Sequence, residues 1–382
     1  MRHSSAEPGR RFHIRRARDR KWLALWPPVS PAIYLRTPDR GSPFPLGEPD
    51  CRVYTRARHG LFEGARSLGI GAGDLVLAPA FHHGSEIEAL IRTGARVGFY
   101  ECDEQLAPDE SSLVEALVPQ TRALYLIHYL GFPQDGERWR RWCDERGLLL
   151  LEDAAQSWLA QADGRPVGSH GDLAIFCIYK SVGLDQPGAL ICREPPPAPR
   201  GRRASAATTL LAFHLAWLRQ RIDFRGPARR TRYVGERPDA SREFELGDPD
   251  IRPSAAALFA VRRSRADSAA GRRRQNYALL LERLAEHVPA PFQTLPGGAS
   301  PLQFPLSVRD PLHLLKWLAH VGIEGGEPWP IPHPSLPVQR FPRAEEMRVS
   351  WIGLPVHHQL RRRDLSRICA AIEEALGMGP GP

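Results

Sequence analysis

Two residues in the first half of the chain could do chemistry together, the acid Asp153 and the amine Lys180. Each follows a short apolar run: Leu148 to Leu151 leads into Glu152 and Asp153, and Leu173 to Ile178 leads into Tyr179 and Lys180. Runs of this length, continuous and bounded by charge or glycine, are expected to be buried strands. In an open parallel sheet the carboxyl ends of the strands are where ligands bind. An amine there can condense with a carbonyl, and a neighbouring carboxylate can keep a ring nitrogen protonated so that the ring accepts electrons.

Those are the two groups that pyridoxal phosphate requires. Composition sharpens the point, because the chain has only three lysines, Lys21, Lys180 and Lys316, among 52 basic residues. Arginine meets almost every other need for positive charge, yet its guanidinium stays protonated and cannot form a Schiff base. Both residues also have ordinary readings. Asp153 with Gln156 three residues on fits a helix capping box, and Lys180 alone fits a solvated loop lysine.

The elements that would position the pair alternate in type. Helical spacing over Arg58 to Leu68 precedes a strand at Leu75 to Pro79, a helix at Glu86 to Thr93 and a strand at Arg96 to Tyr100. A strand at Arg122 to His128, a helix at Gly136 to Arg146 and a strand at Ala189 to Cys192 continue the rhythm, which is that of an α/β protein with a mainly parallel sheet. Helical spacing returns at Leu210 to Ile222. Beyond it come a strand at Leu302 to Val308, a helix at Pro311 to Val321 and a terminal helix at Arg363 to Leu376.

Several motifs stand in a fixed order along this frame: Leu68-Gly69-Ile70-Gly71-Ala72-Gly73-Asp74, Pro79-Ala80-Phe81, Asp153-Ala154-Ala155-Gln156, the G-x-x-V-G-S-x-G-D run from Gly164 to Asp172, Lys180, Gly322-Ile323-Glu324 and Leu354-Pro355-Val356-His357. Together they resemble the DegT/DnrJ/StrS family of pyridoxal-phosphate-dependent sugar aminotransferases. The resemblance implies the aspartate aminotransferase fold (fold type I), a large domain with a mainly parallel seven-stranded sheet between helices plus a smaller α+β C-terminal domain. It divides the chain into a basic, proline-rich arm over 1–49, a cofactor-binding domain over 50–245, and a linking helix with the small domain over 246–382.

The same resemblance assigns roles. Lys180 would form the Schiff base and shuttle the proton, Asp153 would hold the pyridine nitrogen protonated, and Gln156 would bond the phenolic oxygen. His83, standing where the family has an aromatic, would stack on the ring. The start of the first helix, at Ala57 and Arg58, and Cys177 ahead of the lysine would stand at the phosphate, although the family's small hydroxylated residues are replaced there. The family's phosphate-binding serine lies five residues before the lysine, whereas Cys177 lies three before it. Asp250 to Ser254 stands where the family reaches a neighbouring subunit's cofactor, which implies a homodimer with a shared site. The expected activity is transfer of an amino group, from glutamate, to the keto group of a sugar nucleotide or a related small substrate. A dehydratase-like pyridoxal enzyme and a non-catalytic member with an altered phosphate site stand as alternatives.

Composition bounds the rest. The formal net charge of +9 in 382 residues invites an anionic partner, but the arginines run through the whole chain rather than forming one basic stretch, so nucleic acid is not the expected partner. Residues 1–22 form a basic arm without a signal-peptide core, and Trp22 to Pro49 reads as an extended segment lying across a partner or the domain surface. No apolar run approaches a membrane span. The six widely spaced cysteines fit reduced thiols in the cytoplasm. The pairs His82-His83 and His357-His358 lack metal-site companions, so no metal is expected.

Overall fold

The computed structural model describes residues 21–377 apart from 40, 185, 223–229, 233 and 238. The expectations for most of the basic arm therefore lie outside the described residues.

The expected strand and helix rhythm folds into one seven-stranded sheet. Its strands are β1 (Arg52–Tyr54), β2 (Leu75–Pro79), β3 (Arg96–Tyr100), β4 (Thr121–Ile127), β5 (Leu149–Asp153), β8 (Leu173–Cys177) and β9 (Gly188–Cys192), in the order β1-β9-β8-β5-β4-β2-β3. From β3 to β8 every neighbouring pair is parallel, and β9 and β1 run antiparallel at one edge. Strands β6 (Gln161–Ala162) and β7 (Arg165–Pro166) form a small hairpin outside the sheet, which the sequence reading did not anticipate.

All five positions of β2, β5 and β8 are buried. Strands covered on both faces lose the alternation of half-exposed strands and read as unbroken apolar runs. Helices α1 (Ala57–Ser67), α2 (Ser85–Ile91), α3 (Glu110–Ala116) and α4 (Gly136–Asp144) connect the strands. Asp109 and Asp135 start α3 and α4 by accepting from Ser112 N and Arg138 N at 2.9 and 2.8 Å, caps worth about 1 kcal/mol each. The capping expectation at Asp153 is overturned, since residues 155–159 form turns rather than a helix. Asp153 Oδ1 instead accepts from Ala155 N at 2.7 Å, and the Gln156 side chain turns away to accept from Leu130 N at 2.7 Å.

Lys180 also differs from the loop placement, lying on a one-turn helix, α5 (Ile178–Val182), that grows directly from the end of β8. Gly183 closes that turn at φ 77°, with its N–H donating to Tyr179 O at 2.7 Å. A Cβ at this position would lie 1.4 Å from Pro27 O, so only glycine lets residues 21–36 pass so close to the lysine helix.

Beyond the sheet, α6 (Ala206–Arg221) leads toward a long helix at Ala266–Leu284. An antiparallel pair, β10 (Gln303–Ser307) and β11 (Trp351–Pro355), is flanked by helices Pro311–His320 and Arg362–Leu376. The segment expected to be extended lies across this chain's own C-terminal elements: Leu23 N donates to Gly322 O at 2.9 Å, and Glu324 N to Leu23 O at 2.8 Å. Lys21 pairs with Asp364 at 2.8 Å, and Leu23, Leu25, Val29 and Ile33 are buried.

Candidate active site

Glu152 and Asp153 are adjacent on β5, so the strand points them to opposite faces. Glu152 goes to structure. Fully buried, it accepts from Gly168 N at 3.1 Å, His170 N at 2.8 Å and Gly171 N. His128 Nδ1 accepts from Gln134 N at 3.0 Å, which leaves Nε2 to donate to Glu152 Oε1 at 3.2 Å. Burial alone would raise this carboxyl, but the His128 bond and those N–H donors hold it below the ordinary range.

The Gly164–Asp172 run is thus clasped onto the sheet by Glu152. Asp172 completes the clasp by accepting from Arg140 and Arg193, both at 2.7 Å, and from Leu150 N at 2.9 Å. Gly168 has φ 83°, and a Cβ there would meet Phe176 Cζ at 2.5 Å. The glycines of this motif fix packing rather than touch a ligand.

Asp153 faces a cavity of about 1070 Å³ at the carboxyl ends of β4, β5 and β8. Lys180, Gln156, His83, Ala57, Arg58 and Cys177 line the same cavity, so every site residue expected from the sequence is brought to one place. β5 and β8 are adjacent parallel strands, which is why residues far apart in the chain meet there.

Tyr125, from β4, donates its hydroxyl to Asp153 Oδ2 at 2.6 Å. With Ala155 N on Oδ1, both carboxylate oxygens are held in place. Burial and then the nearby carboxylate of Glu86 push the Asp153 carboxyl up to about 6, against the pull of Tyr125, Ala155 N and the Lys180 charge. Glu86 is itself buried, in the first turn of α2, accepting from His83 N at 2.8 Å. Its own direction is downward: burial raises it, and His83 and His82 outweigh that. Of the two acids, Asp153 is the one that takes a proton more readily.

Among the described residues Lys180 Nζ makes no hydrogen bond or ion pair, leaving the amine to the cavity. Burial works against its charge, yet the neighbouring Cys177 and Tyr179, with the Asp153 and Glu86 carboxylates, hold it above the ordinary range. Gln156 has its Oε1 engaged by Leu130 N, which leaves its amide NH₂ for the cavity. His83 is half-buried at the wall, 3.4 Å from Glu243 through Nε2 and edge-on to Phe244.

Ala57 and Arg58 form the first turn of α1, whose leading N–H groups have no intrahelical acceptor. The Arg58 guanidinium is committed to the carbonyls of Glu243 at 3.0 Å and Glu245 at 2.8 Å, so its backbone rather than its charge is offered to a ligand. Cys177 is buried at the N-cap of α5. Ile251, from the segment expected to reach a neighbouring subunit, and Asp248 just before it line this chain's own cavity.

The sequence reading missed four residues of this wall, Glu86, Trp329, Arg202 and Arg242, and Tyr125, which holds Asp153 from β4. Glu86 looked like an ordinary acid in a first helical turn, and Tyr125 like one more apolar strand residue. Trp329 lies against Phe81 at 4.7 Å and Tyr129 at 5.6 Å, with φ 51°.

These groups fit pyridoxal phosphate. An anchored acid, an uncommitted amine and free N–H groups at a helix start surround one cavity of suitable size.

Comparison with known proteins agrees. The model of the DegT/DnrJ/EryC1/StrS aminotransferase family matches residues 46–197. Over 333 residues the chain is 29% identical to a dTDP-3-amino-3,4,6-trideoxy-alpha-D-glucose transaminase of Streptomyces venezuelae, covering 81% of this chain and 78% of that protein. It is 27% identical over 331 residues to a dTDP-4-dehydro-2,3,6-trideoxy-D-glucose 4-aminotransferase of Saccharopolyspora spinosa, covering 83% and 82%. The crystal structure of S. venezuelae DesV in complex with a ketimine intermediate superposes with a TM-score of 0.64 at 26% identity, covering 86% of this chain and 85% of that one. The matched segment carries the acid, the clasped glycine run and the lysine in this geometry, and over residues 46–197 the chain is similar to the DegT/DnrJ/EryC1/StrS aminotransferase family.

Proposed function

We propose that the chain is a pyridoxal-phosphate-dependent aminotransferase that delivers an amino group, taken from glutamate, to the keto group of a sugar nucleotide or a closely related small substrate. The observation that carries this reading is the convergence of Lys180 and Asp153 on one cavity from adjacent parallel strands. Similarity to two named dTDP-sugar aminotransferases supports the substrate class.

Bound in this cavity, pyridoxal phosphate supplies a carbonyl for the lysine amine and a ring that takes up an electron pair. Asp153, fixed by Tyr125 and Ala155 N, receives the ring nitrogen and shares its proton. Gln156 offers its amide NH₂ to the ring's phenolic oxygen, and His83 covers a ring face. Ala57 and Arg58 present backbone N–H groups to the phosphate, with Cys177 beside them in place of a hydroxyl donor. Lys180 Nζ would take the proton from the carbon of the amino donor in one half-reaction and deliver a proton to the carbon of the acceptor in the other. Arg202 and Arg242 give the cavity wall positive charge suited to a substrate diphosphate.

The same reading divides the chain into 1–49, 50–245 and 246–382, and has it work in the cytoplasm as a homodimer that completes each site. Among the described residues no helix is long and apolar enough to cross a membrane. The test is the visible spectrum of the purified protein with cofactor. A band that glutamate shifts, and that is absent in Lys180→Ala, is expected. Amine transfer to a keto-sugar nucleotide then separates this chemistry from dehydration. A parent protein with no band, or one whose band survives in Lys180→Ala, refutes the reading.

A further inference from the structure

A second cavity, of about 970 Å³, opens between the segment 29–36, the long helix Ala266–Leu284 and the start of the terminal helix Arg362–Leu376. It shares no lining residue with the cofactor cavity. Six arginines line it: Arg36, Arg221, Arg265, Arg272, Arg361 and Arg362. Glu282 is the one acid among its described lining residues.

None of these six guanidinium groups has a carboxylate partner among the described residues. Elsewhere the chain pairs its arginines closely, as in Arg237 with Glu327 at 2.6 Å and Arg140 with Asp172 at 2.7 Å. Like charges gathered without counter-ions repel one another, and an anion relieves that repulsion. Arg221 is held below the ordinary range by burial and then by the charge of Arg361.

Two buried polar atoms on the cavity wall point the same way. Among the described residues Ser264 Oγ and His358 Nδ1 have no hydrogen-bond partner, although both atoms are buried. Buried polar groups are almost always satisfied, so an unmet pair beside one cavity marks a place where a ligand's polar atoms are received. Burial, and then Arg273, Arg36 and Arg272, push His358 down to about 3, so the ring is uncharged and can donate or accept through Nδ1.

We propose that this cavity is a binding site for a small-molecule oligophosphate, such as the di- or triphosphate of a nucleotide, separate from the cofactor site. Guanidinium groups match phosphate oxygens in bidentate fashion. The cavity is within the size range of small-ligand sites, and its floor includes Val29, Ile33 and Leu365, apolar surface that suits a base or sugar ring better than a duplex backbone. The inference does not depend on the aminotransferase reading.

The test titrates the full chain, saturated with pyridoxal phosphate, with inorganic tripolyphosphate and separately with thymidine diphosphate, by calorimetry at fixed salt. A saturable site that persists in Arg202→Gln with Arg242→Gln, which removes the charge offered to a diphosphate in the cofactor cavity, is expected. Arg272→Gln with Arg361→Gln should weaken it at least tenfold, and Ser264→Ala several-fold with no change of charge. Thermal unfolding checks that each variant is folded. Tighter binding of the nucleotide than of tripolyphosphate assigns the ligand to nucleotides; equal binding assigns it to the bare oligophosphate. The proposal is overturned if uptake does not saturate, if short duplex DNA displaces the anion at equal concentration, if folded Arg272 and Arg361 variants bind like the parent, or if Arg202→Gln with Arg242→Gln abolishes binding.

Discussion

Replacing Asp153 by Asn removes one buried charge and keeps the shape. Asp153 is 7% exposed, and its carboxyl is raised from the ordinary 3.8 to about 6, by burial first and the Glu86 charge second. A rise of about two pH units corresponds to about 3 kcal/mol, at roughly 1.4 kcal/mol per unit. The sign follows from counting protons. The folded chain keeps a proton that the unfolded chain releases, so the stabilisation is complete below 3.8 and is lost as the pH rises through about 6.

Between about pH 5 and about pH 7.5, cofactor-free protein should lose about 1.4 kcal/mol through this one group. Asp153→Asn loses nothing by this route. Urea unfolding of the cofactor-free parent and variant at both pH values reads the effect, because charges common to both proteins cancel in the difference. The stability of Asp153→Asn relative to the parent should improve by about 1.4 kcal/mol on going to the higher pH. A difference that does not move with pH, or moves the other way, would show that Asp153 is not strained by burial and by Glu86, and would remove the electrostatic account of the site.

Further outcomes follow from neighbouring groups. Tyr125→Phe deletes the 2.6 Å bond to Asp153 and should cost about 1–3 kcal/mol in urea unfolding while moving the Asp153 titration higher still. Glu152→Gln, by leaving the glycine run with a poorer acceptor, should destabilise by about 3 kcal/mol near neutrality. Because the Glu152 carboxyl is held low, its contribution is present above 4.5 and fades as the pH falls through its folded value, so parent and variant should converge in acid. Gly168→Ala forces a Cβ against Phe176 at a positive φ; a loss of about 2 kcal/mol or more in thermal unfolding is expected.

Most of the sheet was legible because its strands are buried on both faces. The apolar runs at 75–79 and 173–177 are unbroken, and their ends can be read within a residue or so. Where local signals competed with tertiary contacts, the contacts won. Gln156 fits a capping box by spacing, but Leu130 N offers it a partner that no local pattern reveals. Lys180 reads as a loop residue until Gly183 and Pro27 are seen to close the turn around it.

By itself, then, the amino-acid sequence determined the alternation of strands and helices, the identity of the acid and the amine, and the glycines that the Gly164–Asp172 run requires, since each of these is written in residue type and short-range spacing. Only the tertiary structure decided that Glu152 clasps the glycine run, that Glu86 stands beside Asp153, and that arginines from four distant segments line a second cavity. Those outcomes depend on strand order and on through-space charge, and neither is a property of neighbours along the chain.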